Sequence, residues 1–304
     1  MFNLFKFDFL KKKTTPRLLG LAIGSSSVKL LELSKSQNQY CVENYAIVPI
    51  TQTIPEAIKQ AIALSGTQLR CAAIAMPDSE VISKSIQMND SLSPDEMEEI
   101  ILADADKHTH YPLHEISLDF EILGPTTNKS QLVDVLLIAA RTEKVNERIA
   151  LVHAAGLNVN IVDVQSHALE RAHTFITAPE ETFMIIDIGK SAIKTMVLYQ
   201  QKIIFSRSDD MQKNSNILIY IERALHFFFS SPQRQEITHM LLMGGGSYIE
   251  DLCLLLETQL SIPTSIANPF SMMSVSSKID TAALTHDARL MMTSCGLALR
   301  SFPS

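Results

Sequence analysis

Apolar and polar residues alternate over two stretches that share one plan: an apolar run, a turn of small residues, then a second alternating run. Residues 18–33 read LLGLAIGSSSVKLLEL, with Gly24, Ser25, Ser26 and Ser27 at the turn. Residues 183–198 read FMIIDIGKSAIKTMVL, with Gly189, Lys190 and Ser191 at the turn. Alternation of period two on both sides of a glycine-bearing turn predicts a β-hairpin in each place. A third strand is predicted after each, at 40–48 and at 202–206, so each half opens with a three-stranded meander. A duplication of this size predicts two like domains facing each other across a cleft.

Between the halves the rhythm changes. A strand is predicted at 81–88. Ser93-Pro94-Asp95-Glu96 then supplies an N-cap, a proline at the first helical position and acidic residues in the first turn, so a helix is expected over 94–108. Strands at 116–123 and 132–141, a helix over 142–155 ending at Gly156, and a strand at 158–162 complete an inserted α+β unit. Further on, a helix is expected at 165–174, another at 216–230, and a strand at 240–243 that ends in Gly244-Gly245-Gly246. Helices are expected at 248–260 and 287–300. The lobes should divide near Ala178-Pro179-Glu180.

Composition narrows the function. A chain of 304 residues, 46% hydrophobic and 19% charged, is built to bury a core, which excludes a disordered chain. The 33 acidic residues outnumber the 26 basic ones, and the net charge of -7 gives no general attraction for nucleic acid. Cys41, Cys71, Cys253 and Cys295 lie far apart without histidines at metal-ligand spacing, and read as buried free thiols of a cytoplasmic protein. No apolar run approaches the ~20 residues a bilayer requires. The leader MFNLFKFDFLKKK places its apolar part before its basic run, the reverse of a secretory signal, so it is expected to stay on the protein. Phe2, Phe5 and Phe9 at helical spacing, with Lys11 to Lys13 behind them, suit packing on the chain's own domain, or contact with an anionic membrane surface or a partner.

Glycine and hydroxyl residues at two hairpin tips, with three glycines after a strand, let backbone N–H groups approach phosphates without hindrance from Cβ atoms. Their order resembles the actin, sugar-kinase and Hsp70 superfamily and, within it, the type IV pilus assembly protein PilM family. LLGLAIGSSSVKLLELS resembles the first phosphate loop, VDVQSHALERA the first connecting helix and MIIDIGKSAIK the second phosphate loop. LLMGGGSYIEDL resembles the adenosine motif and SCGLALRSF the second connecting helix.

The resemblance implies an α/β fold of two actin-like, ribonuclease H-like lobes flanking a cleft, with an insert like that of the division protein FtsA. The implied limits are a leader 1–16, a first lobe 17–78 and 163–178, an insert 79–162 and a second lobe 179–304, whose last helix 287–300 returns towards the first lobe. The short link between Arg207 and the ERALHFFFSS helix implies that the outer subdomain of the second lobe is reduced.

It also implies ATP with magnesium as ligand. Gly24, Ser25, Ser26 and Ser27 would wrap the β- and γ-phosphates and Lys29 would reach them. Asp187 would hold magnesium through water. Gly189 and Lys190 would form the other phosphate loop, Gly244, Gly245 and Gly246 would lie against adenine and ribose, and Gln165 would orient water. Ala22 stands where the family has a carboxylate, which implies weak ATP binding without efficient hydrolysis. The implied role is a cytoplasmic scaffold, peripheral to the inner membrane, that takes the cytoplasmic tail of PilN between insert and first lobe, with no nucleic-acid partner. Self-association is a further expectation. An active ATPase and an FtsA-like division or shape protein are the alternatives.

Overall fold

The structure is a computed structural model that describes residues 17–109, 111–126, 131–176, 181–212, 216–231 and 235–302. The leader, His110 and the expected lobe boundary at Ala178-Pro179-Glu180 lie outside the described residues.

β1 (Leu19–Ile23), β2 (Ser27–Ser36) and β3 (Gln39–Pro49) form the first antiparallel meander. α1 (Ile54–Ser65) follows, opened by a reciprocal cap in which Glu56 N–H donates to the Thr53 hydroxyl and Thr53 N–H to the Glu56 carboxylate. β4 (Cys71–Met76) then pairs parallel with β1. The insert comprises β5 (Val81–Asn89), α2 (Pro94–Ala103), α3 (Ala105–His108), β6 (Ile116–Pro125) and β7 (Leu132–Arg141), with strand order β5-β7-β6. Ser93 and Glu96 cap α2 as their spacing predicts. The helix expected over 94–108 breaks at Asp104, whose φ of -100° and ψ of 10° leave the helical region.

α4 (Thr142–Ala154), β8 (Asn158–Val164) and α5 (Gln165–His173) return the chain to the first lobe. Within the expected insert 79–162, α4 and β8 pack on first-lobe elements. β8 pairs parallel with β4, and α4 buries Val145 and Val152 in one apolar cluster with Ala57, Ile58 and Ala61 of α1. A parallel strand needs a crossover to reach its neighbour, and α4 is the last part of that crossover.

The second lobe repeats the plan. β9 (Phe183–Ile188), β10 (Ala192–Tyr199) and β11 (Lys202–Asp210) form its meander. α6 (Ile217–Phe229), β12 (His239–Met243), α7 (Leu252–Leu260) and β13 (Thr264–Ile266) follow. The helix expected from 248 begins at Leu252 because Asp251 sits at φ 56°, outside helical space. The chain then crosses back: β14 (Ser274–Val275) adds to β3 of the first sheet, α8 (Thr281–Asp287) follows, and α9 (Met292–Ala298) packs on β1 and α5. The return therefore starts at β14, before the last helix, and that helix is divided by a non-helical Met291.

The two sheets run β14-β3-β2-β1-β4-β8 and β11-β10-β9-β12-β13. Apart from the added β14, both place the meander first and two parallel strands after it. Strand alternation feeds separate cores. Val28 and Leu30 of β2 join the α1 side, while Leu31 and Leu33 join a second cluster with Phe183 and Ile185 of β9. Met184, Ile186 and Ile188 of β9 point to the opposite face, against Ile221 and Phe228 of α6. The shared cluster includes Leu169 and Ala172 of α5 and Met292, Cys295 and Ala298 of α9, so these helices bind the lobes together. Each large side chain buried there contributes about 1.5–3 kcal/mol. Among the described residues, no helix is long and apolar enough to cross a membrane. The four cysteines are free; only Cys295 is buried, and the expected burial of Cys41, Cys71 and Cys253 is partial.

Candidate functional site

Both hairpin tips have the same backbone turn. Gly24 N–H donates to Ser27 O at 3.0 Å, and Ile50 N–H at the end of β3 donates to Ser26 O at 2.9 Å. In the second lobe, Gly189 N–H donates to Ala192 O at 2.9 Å and Met211 N–H, just past β11, donates to Ser191 O at 2.8 Å. The sequence duplication thus extends to the hydrogen bonds that fix each tip.

The tips converge. Gly24, Ser25, Ser26, Ser27 and Lys29 line one interlobe cavity of about 840 Å³ with Asp187, Gly189 and Lys190, with Gly244, Gly245 and Gly246, and with Gln165 at the start of α5. Every residue expected at the site is therefore in one place. Ala22 lines it too, opposite Lys29 in the β1–β2 register.

The glycines after β12 have a steric reason. Gly244 adopts φ +80°, and a Cβ there would lie 2.3 Å from Asp187 Oδ1. A Cβ on Gly246 would lie 2.1 Å from Ile188 Cγ2. The turn packs directly on the end of β9, which seats Asp187 on the cavity wall. Gly244 N–H donates to Arg289 O at 3.0 Å and Arg289 donates to Ser247 O at 2.7 Å, tying the turn to the segment that leads into α9. Lys29 Nζ lies beside the first tip, 3.1 Å from where a Cβ on Gly24 would stand.

The sequence reading missed three participants. Lys194 lies opposite Asp187 in the β9–β10 register and lines the cavity, just as Lys29 lies opposite Ala22. Its signal was present: Lys29 follows Gly24 at the same spacing as Lys194 follows Gly189. Asp78, directly after β4 and Pro77, forms an ion pair with Lys194 across the lobes and accepts Ser166 N–H at 3.2 Å. Arg148 of α4 lines the cavity, donates to Ile23 O at 2.9 Å, and keeps its Nε buried without a hydrogen-bond partner.

Electrostatics follow from this placement. Burial raises the Asp187 pKa, with Lys29 and Lys194 pulling it the other way. Burial lowers the Lys29 pKa, opposed by Asp187. Burial would raise Asp78 as well, but Lys194 and the hydrogen bonds from Ser166 outweigh it and hold the carboxyl below its ordinary value. The cavity wall thus carries Lys29, Lys190, Lys194 and Arg148 against one carboxylate, Asp187. With glycine tips and an excess of cations, these residues fit a polyphosphate. Among the described residues, no group of three or more His, Cys, Asp or Glu is placed to hold a metal ion.

Comparison with known proteins agrees with this architecture. The chain is similar to the solved structure of a PilM-PilN type IV pilus biogenesis complex at 23% identity, with 95% of this chain and 99% of that one covered and a TM-score of 0.77. It is also similar, at 11% identity over the whole of both chains and a TM-score of 0.50, to a Bacteroides thetaiotaomicron protein of actin-like ATPase fold and unknown function. These likenesses show the two-lobed actin-like fold. The sequence model of the type IV pilus assembly protein PilM family matches residues 20–212 and 213–302. Nearly the whole described chain, both hairpin tips included, falls within that match, and the chain belongs to the type IV pilus assembly protein PilM family.

Proposed function

We propose that this chain is a scaffold of type IV pilus assembly that binds the cytoplasmic N-terminal segment of PilN and holds a nucleoside triphosphate in its cleft without efficient turnover. The observation that carries the reading is the pairing of the family match with a solved relative in complex with PilN, over essentially the same length. In this reading the chain works on the cytoplasmic face of the inner membrane, reaching it through PilN.

The insert is mounted in a way that suits a docking platform. Ile138 and Ala140 of β7 belong to the same apolar cluster as α1 and α4, so the insert's central strand is continuous with the first-lobe core. A peptide lying between insert and lobe would meet two surfaces fixed to one core, which limits the ordering cost of binding. Ala22 argues against efficient catalysis. Phosphoryl transfer depends on positioned charge, and the side chain opposite Lys29 supplies no oxygen.

The test is a pull-down with an immobilised peptide of the cytoplasmic N-terminus of PilN from the same organism, run with and without ATP. The full chain should be retained in both conditions. Failure of folded protein to bind in either would remove the PilN reading.

A further inference from the structure

We infer that the cleft takes the polyphosphate of its nucleotide without a divalent cation, because lysine ammonium groups occupy the electrostatic position of the metal. The inference rests on the nucleotide reading above and deepens it.

Both duplicated hairpins carry a cation beside the cleft. In each, the second strand carries a lysine directly opposite a residue of the first strand that faces the cleft: Lys29 opposite Ala22, and Lys194 opposite Asp187. Two carboxylates at the Ala22 and Asp187 positions would give a metal two anionic anchors across the cleft. This chain offers one, and both lysines act on it electrostatically.

A magnesium ion needs near-octahedral oxygen coordination and is held by one or two carboxylates together with substrate phosphates. Here the single carboxylate lies opposite Lys194 in the strand register, with Lys29 and Lys194 both acting on it. Ammonium groups near the carboxylate repel a divalent cation and offset the carboxylate's attraction for it. Asp78, the carboxylate just after β4, is engaged by Lys194 and by Ser166 N–H.

The phosphates lose little by this. Lys29, Lys190, Lys194 and Arg148 line the cavity. Lysine serves as a point charge towards phosphate, and an ammonium beside the β- and γ-oxygens offsets part of the phosphate charge that magnesium would otherwise balance. Four cationic side chains against the Asp187 carboxylate leave the wall with an excess of positive charge, which suits a polyanion. Lys194 can turn from Asp78 to phosphate, so ligand binding would exchange an interlobe ion pair for a ligand contact.

Calorimetric titration of the full chain with ATP tests this, once with excess magnesium and once with EDTA. The dissociation constants should agree within about twofold. The Ala22→Asp/Lys194→Thr double variant restores the second carboxylate and removes one ammonium, and should bind at least tenfold tighter with magnesium than with EDTA. Ala22→Asp alone should move the same way by a smaller factor. Wild-type affinity that rises tenfold or more with magnesium would overturn the inference and leave the nucleotide reading standing. Absence of binding in both arms, with folded protein, would remove the nucleotide reading and this inference with it.

Discussion

Gly296→Ala is expected to destabilise the protein by about 3 kcal/mol or more, read as a fall in the urea midpoint at unchanged slope. In a helix interior the same change ordinarily gains up to about 1 kcal/mol, since alanine is the better helix former. The surroundings reverse the sign. A Cβ on Gly296 would stand 1.7 Å from Ala168 O and 2.4 Å from its carbonyl carbon, atoms of the α5 backbone that cannot rotate away. α9 is held as closely on another side, where a Cβ on Gly20 of β1 would lie 2.0 Å from Ser294 O. To admit a methyl group α9 must move away from α5, opening the cluster that joins the lobes, in which Met292, Cys295 and Ala298 are fully buried. A variant as stable as the parent would show that α5 and α9 are not in backbone contact.

Asp163→Ala is expected to cost about 3–5 kcal/mol. Asp163 is fully buried at the end of β8, where its Oδ1 accepts Val164 N–H at 2.7 Å. Its other oxygen pairs with Arg171 of α5 and lies 4.0 Å from Arg300 Nε, just beyond α9. Arg171 also donates from Nε to Gly296 O at 3.0 Å. One carboxylate therefore organises two guanidiniums that reach from the first lobe to the returning segment, and burial already lowers the Arg300 pKa. Removing it leaves both cations near each other in a poorly hydrated place. Asp163→Asn, which keeps an acceptor for Val164 N–H, should cost less. Equal losses for Ala and Asn would assign the effect to charge alone, and no loss in either would contradict the arrangement.

The two meanders were legible because period-two alternation and glycine turns are local signals, and each tip closes through a bond between its own residues. The Ser93 cap was legible for the same reason. Thr53-Ile54-Pro55-Glu56 carries the same signal as Ser93-Pro94-Asp95-Glu96, yet α1 and β4 stood outside the elements predicted, as did β13, β14 and α8. The fate of β8 was not legible. Its apolar pattern predicts a strand, but nothing local says whether it joins β7 or crosses over to β4. The breaks at Asp104, Asp251 and Met291 are backbone excursions within runs whose side chains still suit a helix.

At the site, the glycines, Ser25 to Ser27, Lys29 and Asp187 could be read from their motifs. Asp78 and Arg148 could not, because each reaches the cavity region only through the packing of β4 or α4. The residue that most changes the chemistry, Lys194, lay within a motif already singled out. The duplication gives it the place of Lys29, one hairpin strand beyond Asp187 and the turn.

In the proposed reading, two duplicated hairpins and a glycine turn make one phosphate cleft between the lobes. A crystal structure of the full chain with a non-hydrolysable ATP analogue tests it most directly. The account predicts phosphate oxygens within hydrogen-bond distance of the backbone amides of both tips, at 24–27 and 189–191, with the adenosine against Gly244 to Gly246. An analogue seated elsewhere, or a cleft without nucleotide at saturating concentration, would contradict it.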